Sequence, residues 1–124
     1  DQNRLNMILA VLEKKAGISL LNYDVYVNVV GGMRPDSTAT DLAVALAIFS
    51  SFRGKCAAAK TIAIGEIGLT GNLRSVRNAE KIAAEAVRLG YEKIILPKKN
   101  SKFTLAGISI VGAENIMEAI RQAY

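Results

Sequence analysis

The chain has no histidine, no tryptophan, one cysteine (Cys56) and only two prolines among its 124 residues. Without histidine there is no Ser-His-Asp or Cys-His mechanism and no His-ligated metal site. One cysteine supplies neither an internal disulfide nor a thiolate zinc site. Any chemistry therefore rests on Lys, Asp, Glu, Ser, Thr or Tyr. No apolar run reaches the roughly 18 residues of a membrane span, no signal or transit sequence opens the chain, and an unpartnered cysteine suits a reducing cytoplasm. What is present is a globular balance, 51% apolar and 22% charged, at a length that fits one domain over residues 1–124. The net charge of +5, from 16 basic and 11 acidic residues, permits nucleic-acid contact without requiring it. The chain starts at Asp1 rather than Met, and DQNRL at the edge of a helix is expected to be the start of a fragment of a longer protein.

Leu5, Ile8, Leu9 and Leu12 recur at the spacing of an amphipathic helix, which predicts a helix over 3–16 stopped by Gly17. The period then changes to two. Tyr23, Val25, Val27 and Val29 alternate with Asp24, Tyr26, Asn28 and Val30, a half-buried strand ended by Gly31-Gly32. A polar loop with Pro35 follows, and Asp36 or Ser37 can cap a nearly all-apolar helix over 38–53. The run TIAIGEIGLTGNLRSV predicts strands near 60–67 and 72–76 joined by a hairpin or tight connection at Gly68 to Gly71. Asn78 is a candidate N-cap for a helix whose apolar face holds Ile82, Ala86 and Leu89 and which ends at Gly90. KIILP predicts a buried strand over 92–97, PKKNSK a charged loop, ISIVG a short strand and 113–123 a closing helix with Ile116, Met117 and Ile120. Helical crossovers mixed with a hairpin argue an α/β sandwich with a mixed sheet.

Neither Gly31-Gly32 nor GEIGLTG has the spacing of a phosphate-binding P-loop or a dinucleotide fingerprint. Asp41 at the start of an apolar helix and Glu66 inside an apolar strand are carboxylates in low-solvent settings, and the helix dipole favours Asp41. The nucleophilic mechanism still open is a Ser or Thr activated by a Lys whose pKa is lowered by burial. The candidate hydroxyls are Ser37, Thr38 and Thr40, and the candidate base is Lys81. Lys93, Lys98, Lys99 and Lys102 put four positive charges within ten residues, a run that fits a solvated loop or a contact with DNA or a subunit. Tyr23, Tyr26 and Tyr91 could stack on bases, although their spacing also fits core positions.

Three segments in order, DQNRLNMILAVLEKKAGISL, VVGGMRPDSTATDLAVALAIFSSFRGK and GEIGLTGNLRSVRNAEKI, resemble the proteolytic domain of the Lon family. More closely, they resemble the Lon-like C-terminal domain of the RadA (Sms) family of bacterial DNA-repair proteins. The resemblance implies an α/β fold of the ribosomal protein S5 domain 2-like type. Active Lon domains carry the nucleophile in Gly-Pro-Ser-Ala-Gly at the start of the buried helix. Setting TATDLAVALA against it puts Ala39 at that position, and counting on from Gly65 puts Glu80 at the position of the catalytic lysine. Both places are vacated, which implies a non-proteolytic scaffold; an active Ser-Lys peptidase using Ser37 and Lys81 is the alternative. The RadA resemblance further implies DNA contact, hexamer assembly and ATP-dependent branch migration, with a recombinase as a further partner. It assigns DNA contact to Arg4 and Arg34, and the basic residues Lys98, Lys99 and Lys102 are candidates beside them. It implies ATP, magnesium and zinc in an N-terminal part of such a protein, and no cofactor in this chain.

Overall fold

A computed structural model of the chain describes residues 2–20 and 38–124. The strand expected at 23–30, the cap candidates Asp36 and Ser37, and Arg34, Tyr23 and Tyr26 lie outside the described residues.

Helix α1, Gln2–Ala16, buries Ile8 and Leu12 of the expected stripe together with Val11, whereas Leu5 and Leu9 are half-buried. A short 3-10 turn, Thr38–Thr40, leads into α2, Asp41–Arg53, which buries Leu42, Ala45 and Leu46. Gly54 closes α2 in the left-handed conformation, its φ of 65° being available to glycine at little cost. Strands β1 (Thr61–Ala63), β4 (Lys93–Pro97) and β5 (Ser109–Ala113) form a parallel sheet in the order β1-β4-β5. Strands β2 (Glu66–Ile67) and β3 (Leu73–Arg74) form a separate antiparallel ribbon. Helices α3 (Ala79–Arg88) and α4 (Ile116–Ala123) complete the described elements.

The architecture is the expected mixed α/β, with parallel and antiparallel pairing divided between two sheets. Central strand β4 shows how the sheet is covered. Ile94 and Leu96 pack with Ala79, Ala83 and Ala86 of α3 on one face, whereas Ile95 joins the cluster built by α1, α2 and α4 on the other. Both faces of β4 are therefore dry, as parallel strands require, and its sequence is a continuous apolar run for that reason.

Four details differ from the expectation. The single strand over 60–67 is two strands. After Ile64 N–H donates to Ile95 O, Gly65 turns to α2, donating to Ala39 O (2.9 Å) and accepting from Leu42 N–H (3.0 Å). Asn78 precedes α3 but its side chain caps nothing; it adopts a left-handed φ of 59°, which asparagine tolerates. Leu89 is 60% exposed, because α3 faces the sheet with its alanines. Finally, α4 starts at Ile116 rather than 113, since Ala113 still pairs with Pro97 in the sheet and the Asn115 side chain caps the helix by accepting from Glu118 N–H.

Candidate nucleic-acid interface

The start of α2, the ribbon and the first turn of α1 meet around Asp41, the one buried charged residue among those described. Arg4 reaches it from α1 through two donors, Nη2 to Oδ2 and Nε to Oδ1 at 3.3 Å, and Nη2 also donates to Ile67 O at 3.1 Å. Ile67 N–H in turn donates to Asp41 Oδ2 at 3.0 Å. Three elements are thus tied by one carboxylate whose lone pairs are met, as a buried charge requires. The hydrogen bond to Asp41 raises the pKa of the Arg4 guanidinium, burial opposing it. Beside this clamp, Glu66 faces Arg74 across the ribbon at 3.7 Å and accepts from Thr38 Oγ1 at 3.3 Å.

Arg4, expected to contact DNA, therefore spends its guanidinium on Asp41, and about a third of its side chain remains exposed. Ala39 lies in the 3-10 turn with its carbonyl held by Gly65, and Glu80 is exposed in the first turn of α3. Lys81, the alternative base, is also exposed, outside the buried setting that a neutral amine base needs. Tyr91 is half-buried and packs with the α3 cluster, so it is a core position.

The basic loop after β4 is a built structure rather than a loose tether. Lys98–Asn100 forms a 3-10 turn, and Asn100 is fixed at both ends of its amide: Oδ1 accepts from Val76 N–H at 2.9 Å while Nδ2 donates to Val76 O at 3.1 Å. Ser101 Oγ donates back to Lys98 O at 2.6 Å. The turn packs so closely on β5 that a Cβ at Gly112 would stand 2.6 Å from Ser101 Oγ and 3.1 Å from Lys98 Cα. Lys98, Lys99 and Lys102 are exposed on this platform, and exposed Arg77 follows Val76 directly. Lys98 pairs with Glu114 at 3.2 Å; among the described residues no carboxylate pairs with Lys99 or Lys102. Lys93 is set apart, its Nζ donating to Gln122 O at the end of α4. Asn100 and Gly112, which shape this candidate site, are not among the residues the sequence singles out. An asparagine inside a lysine-rich loop was the available signal for the first, whereas the second depends on a contact between distant segments.

The arrangement holds a turn whose three nearby lysines face solvent. Among the described residues no cluster of three acidic or cysteine side chains could hold a metal ion, and no helix is long and apolar enough to cross a membrane.

Residues 3–100 match the family described as subunit ChlI of Mg-chelatase. The chain belongs to this family. Its curated relatives include proteins named DNA repair protein RadA: from Halalkalibacterium halodurans, 42% identical over 97% of the chain; from Listeria monocytogenes, 41% over 99%; and from Bacillus subtilis, 42% over 98%. The chain spans about a quarter of these relatives, 27% of each. The likeness read from three sequence segments thus extends over nearly the whole chain, and the relatives are DNA-repair proteins.

Proposed function

We propose that the chain is a non-catalytic, Lon-like scaffold and DNA-contact domain, a single unit over 1–124, of a longer RadA-type protein. The observation that carries DNA contact is the clamped turn at Lys98–Asn100. It presents Lys98, Lys99 and Lys102 from a backbone held by Asn100 and packed against Gly112, so the turn itself needs no ordering when phosphates bind, although the exposed lysine side chains still lose their own rotamer freedom. Arg34 adds a further contact. Arg4 acts from the rim of the clamp, chiefly by positioning α1. Hexamer assembly, ATP-dependent branch migration and a recombinase partner belong to the same reading, with ATP, magnesium and zinc held by other parts of the longer protein. Vacancy of the Ser-Lys dyad at Ala39 and Glu80 makes the domain itself non-proteolytic. Localisation is cytoplasmic.

The test is fluorescence anisotropy with a labelled single-stranded oligonucleotide over a salt series. The joint change Lys99→Ala and Lys102→Ala is expected to weaken binding and to shallow the slope of log affinity against log salt by about 1.4, at about 0.7 per phosphate contact on a single strand. An unchanged slope would overturn the assignment. Hydrolysis of a fluorogenic peptide, abolished by Lys81→Ala, would favour the peptidase instead.

A further inference from the structure

The end of the sheet where β4 begins carries a cluster that the DNA-contact reading does not use. At the last turn of α2, the Arg53 guanidinium lies over two rings at once, 5.6 Å from the centroid of Phe49 and 5.7 Å from that of Phe52. Phe49 also meets Tyr124, with centroids 5.8 Å apart and planes tilted by 48°. Tyr124 is held from behind. Its hydroxyl hydrogen-bonds Ser50 Oγ and donates to Leu46 O at 3.4 Å, while the residue as a whole is 39% exposed. The chain after α2 runs past the end of α4, where Ala58 N–H donates to Ala123 O at 2.8 Å.

The segments that meet here, 50–60 and 120–124, contain Arg53, Lys55, Lys60 and Arg121 and no carboxylate side chain. Lys93 adds a further cation at the start of β4, and the neighbouring acid, Glu92, is paired with Lys60 at 3.9 Å. Among the described residues no carboxylate forms an ion pair with Arg53, Lys55 or Arg121. The cluster therefore combines an exposed guanidinium held over two rings, a partly exposed tyrosine and an excess of positive side chains. A guanidinium plane held in this way stacks on unpaired bases, and lysines around it take the flanking phosphates. An acidic polypeptide would use the cations but not the aromatic faces, and a duplex hides its base faces.

We propose that Arg53 and Tyr124, supported by Phe49, form a stacking site for unpaired nucleobases, a second contact for single-stranded nucleic acid at the other end of the domain from Lys98–Lys102. The proposal rests on nucleic acid being the partner and adds base stacking to phosphate contact. The experiment compares binding of the chain to an oligothymidine, to an abasic sugar-phosphate oligomer of equal length, and to a duplex, with polyglutamate as competitor. The oligothymidine is expected to bind about fivefold or more tightly than the abasic oligomer, a ratio that one base-aromatic stack supplies. Arg53→Lys keeps the charge and loses the plane; it should bring the ratio close to one. Tyr124→Leu, checked for an unchanged circular dichroism spectrum, should reduce the ratio in the same direction. The joint change at Lys99 and Lys102 should weaken both single-stranded ligands together and leave the ratio intact. A ratio of one in the parent chain, a ratio unmoved by Arg53→Lys, or equal displacement of both oligomers by polyglutamate together with equal affinities would overturn the stacking site. Loss of the salt effect at Lys99 and Lys102 alone would instead count against the phosphate platform.

Discussion

Helix α2 begins at Asp41 and ends at Arg53, and the charges at its two ends are used in opposite ways. At the first end, Asp41 is buried and completely enclosed by donors from α1 and β2, so Arg4 and Asp41 form part of the internal frame. At the second end, Arg53 is exposed and rests on aromatic rings, with no carboxylate paired to it among the described residues. A guanidinium near a basic surface is thus not automatically a ligand contact. Its partner decides, and that partner comes from another element.

The largest effect expected is from Asp41→Ala, which leaves the Arg4 guanidinium without its counter-ion and Ile67 N–H without an acceptor. Removing one partner of such a pair costs about 3 kcal/mol or more, read from the urea midpoint. Arg53→Ala should cost about 1 kcal/mol or less, the value of an exposed cation-π contact. Equal losses at the two positions would abolish the distinction between frame and surface.

Arg4→Met isolates the carboxylate instead and should cost about 2 kcal/mol. In the parent chain the Arg4 pKa is raised, so its contribution is complete below the unfolded value and is lost only as pH rises through the higher folded value. The difference in stability between parent and Arg4→Met should therefore start to shrink only in strong alkali from this cause, and urea midpoints between about pH 6 and about pH 9 test it. A parent advantage close to zero throughout that interval would show that Arg4 is not held by Asp41 in solution.

Gly112→Ala comes next. The added methyl would collide with Ser101 and the Lys98 backbone, costing about 1–3 kcal/mol through overpacking, and should weaken oligonucleotide binding with it by displacing the platform. Unaltered binding would mean that the platform does not need its clamp. The joint change Lys99→Ala and Lys102→Ala should alter stability by less than about 0.5 kcal/mol, since neither side chain supports the fold. The smallest effect is at Glu85, whose hydrogen bond from Arg88 holds its carboxyl below the usual range. Stability from this pair is present above the ordinary carboxylate value and fades as pH falls through the depressed one. Glu85→Gln should only slightly flatten the acid side of a melting-temperature profile.

Local patterns made much of this fold legible. Helix α1 and the unbroken apolar run of β4 both stand where period and composition put them, with Ile8 and Leu12 buried as expected and Val11 added, because each is set by burial of residues close in sequence. The run 60–67 has the pattern of one strand but forms two, since Gly65 leaves the sheet to bond with the start of α2, a segment more than twenty residues away. The candidate site was half legible. The lysines of 98–102 were visible as a charge run; the clamp that makes them a platform was not, because Asn100 meets Val76 and Gly112 meets Ser101 only after the chain has folded.

By itself the sequence determined which side chains this chain has for chemistry, roughly where most of its described helices and strands fall, and which family it resembles. These depend on residue identity and short-range period. Tertiary structure decided the roles of its charges. Asp41 and Arg4 became a frame and Arg53 a surface group because a charge is defined by its neighbours, and those neighbours are brought together by packing across long stretches of chain.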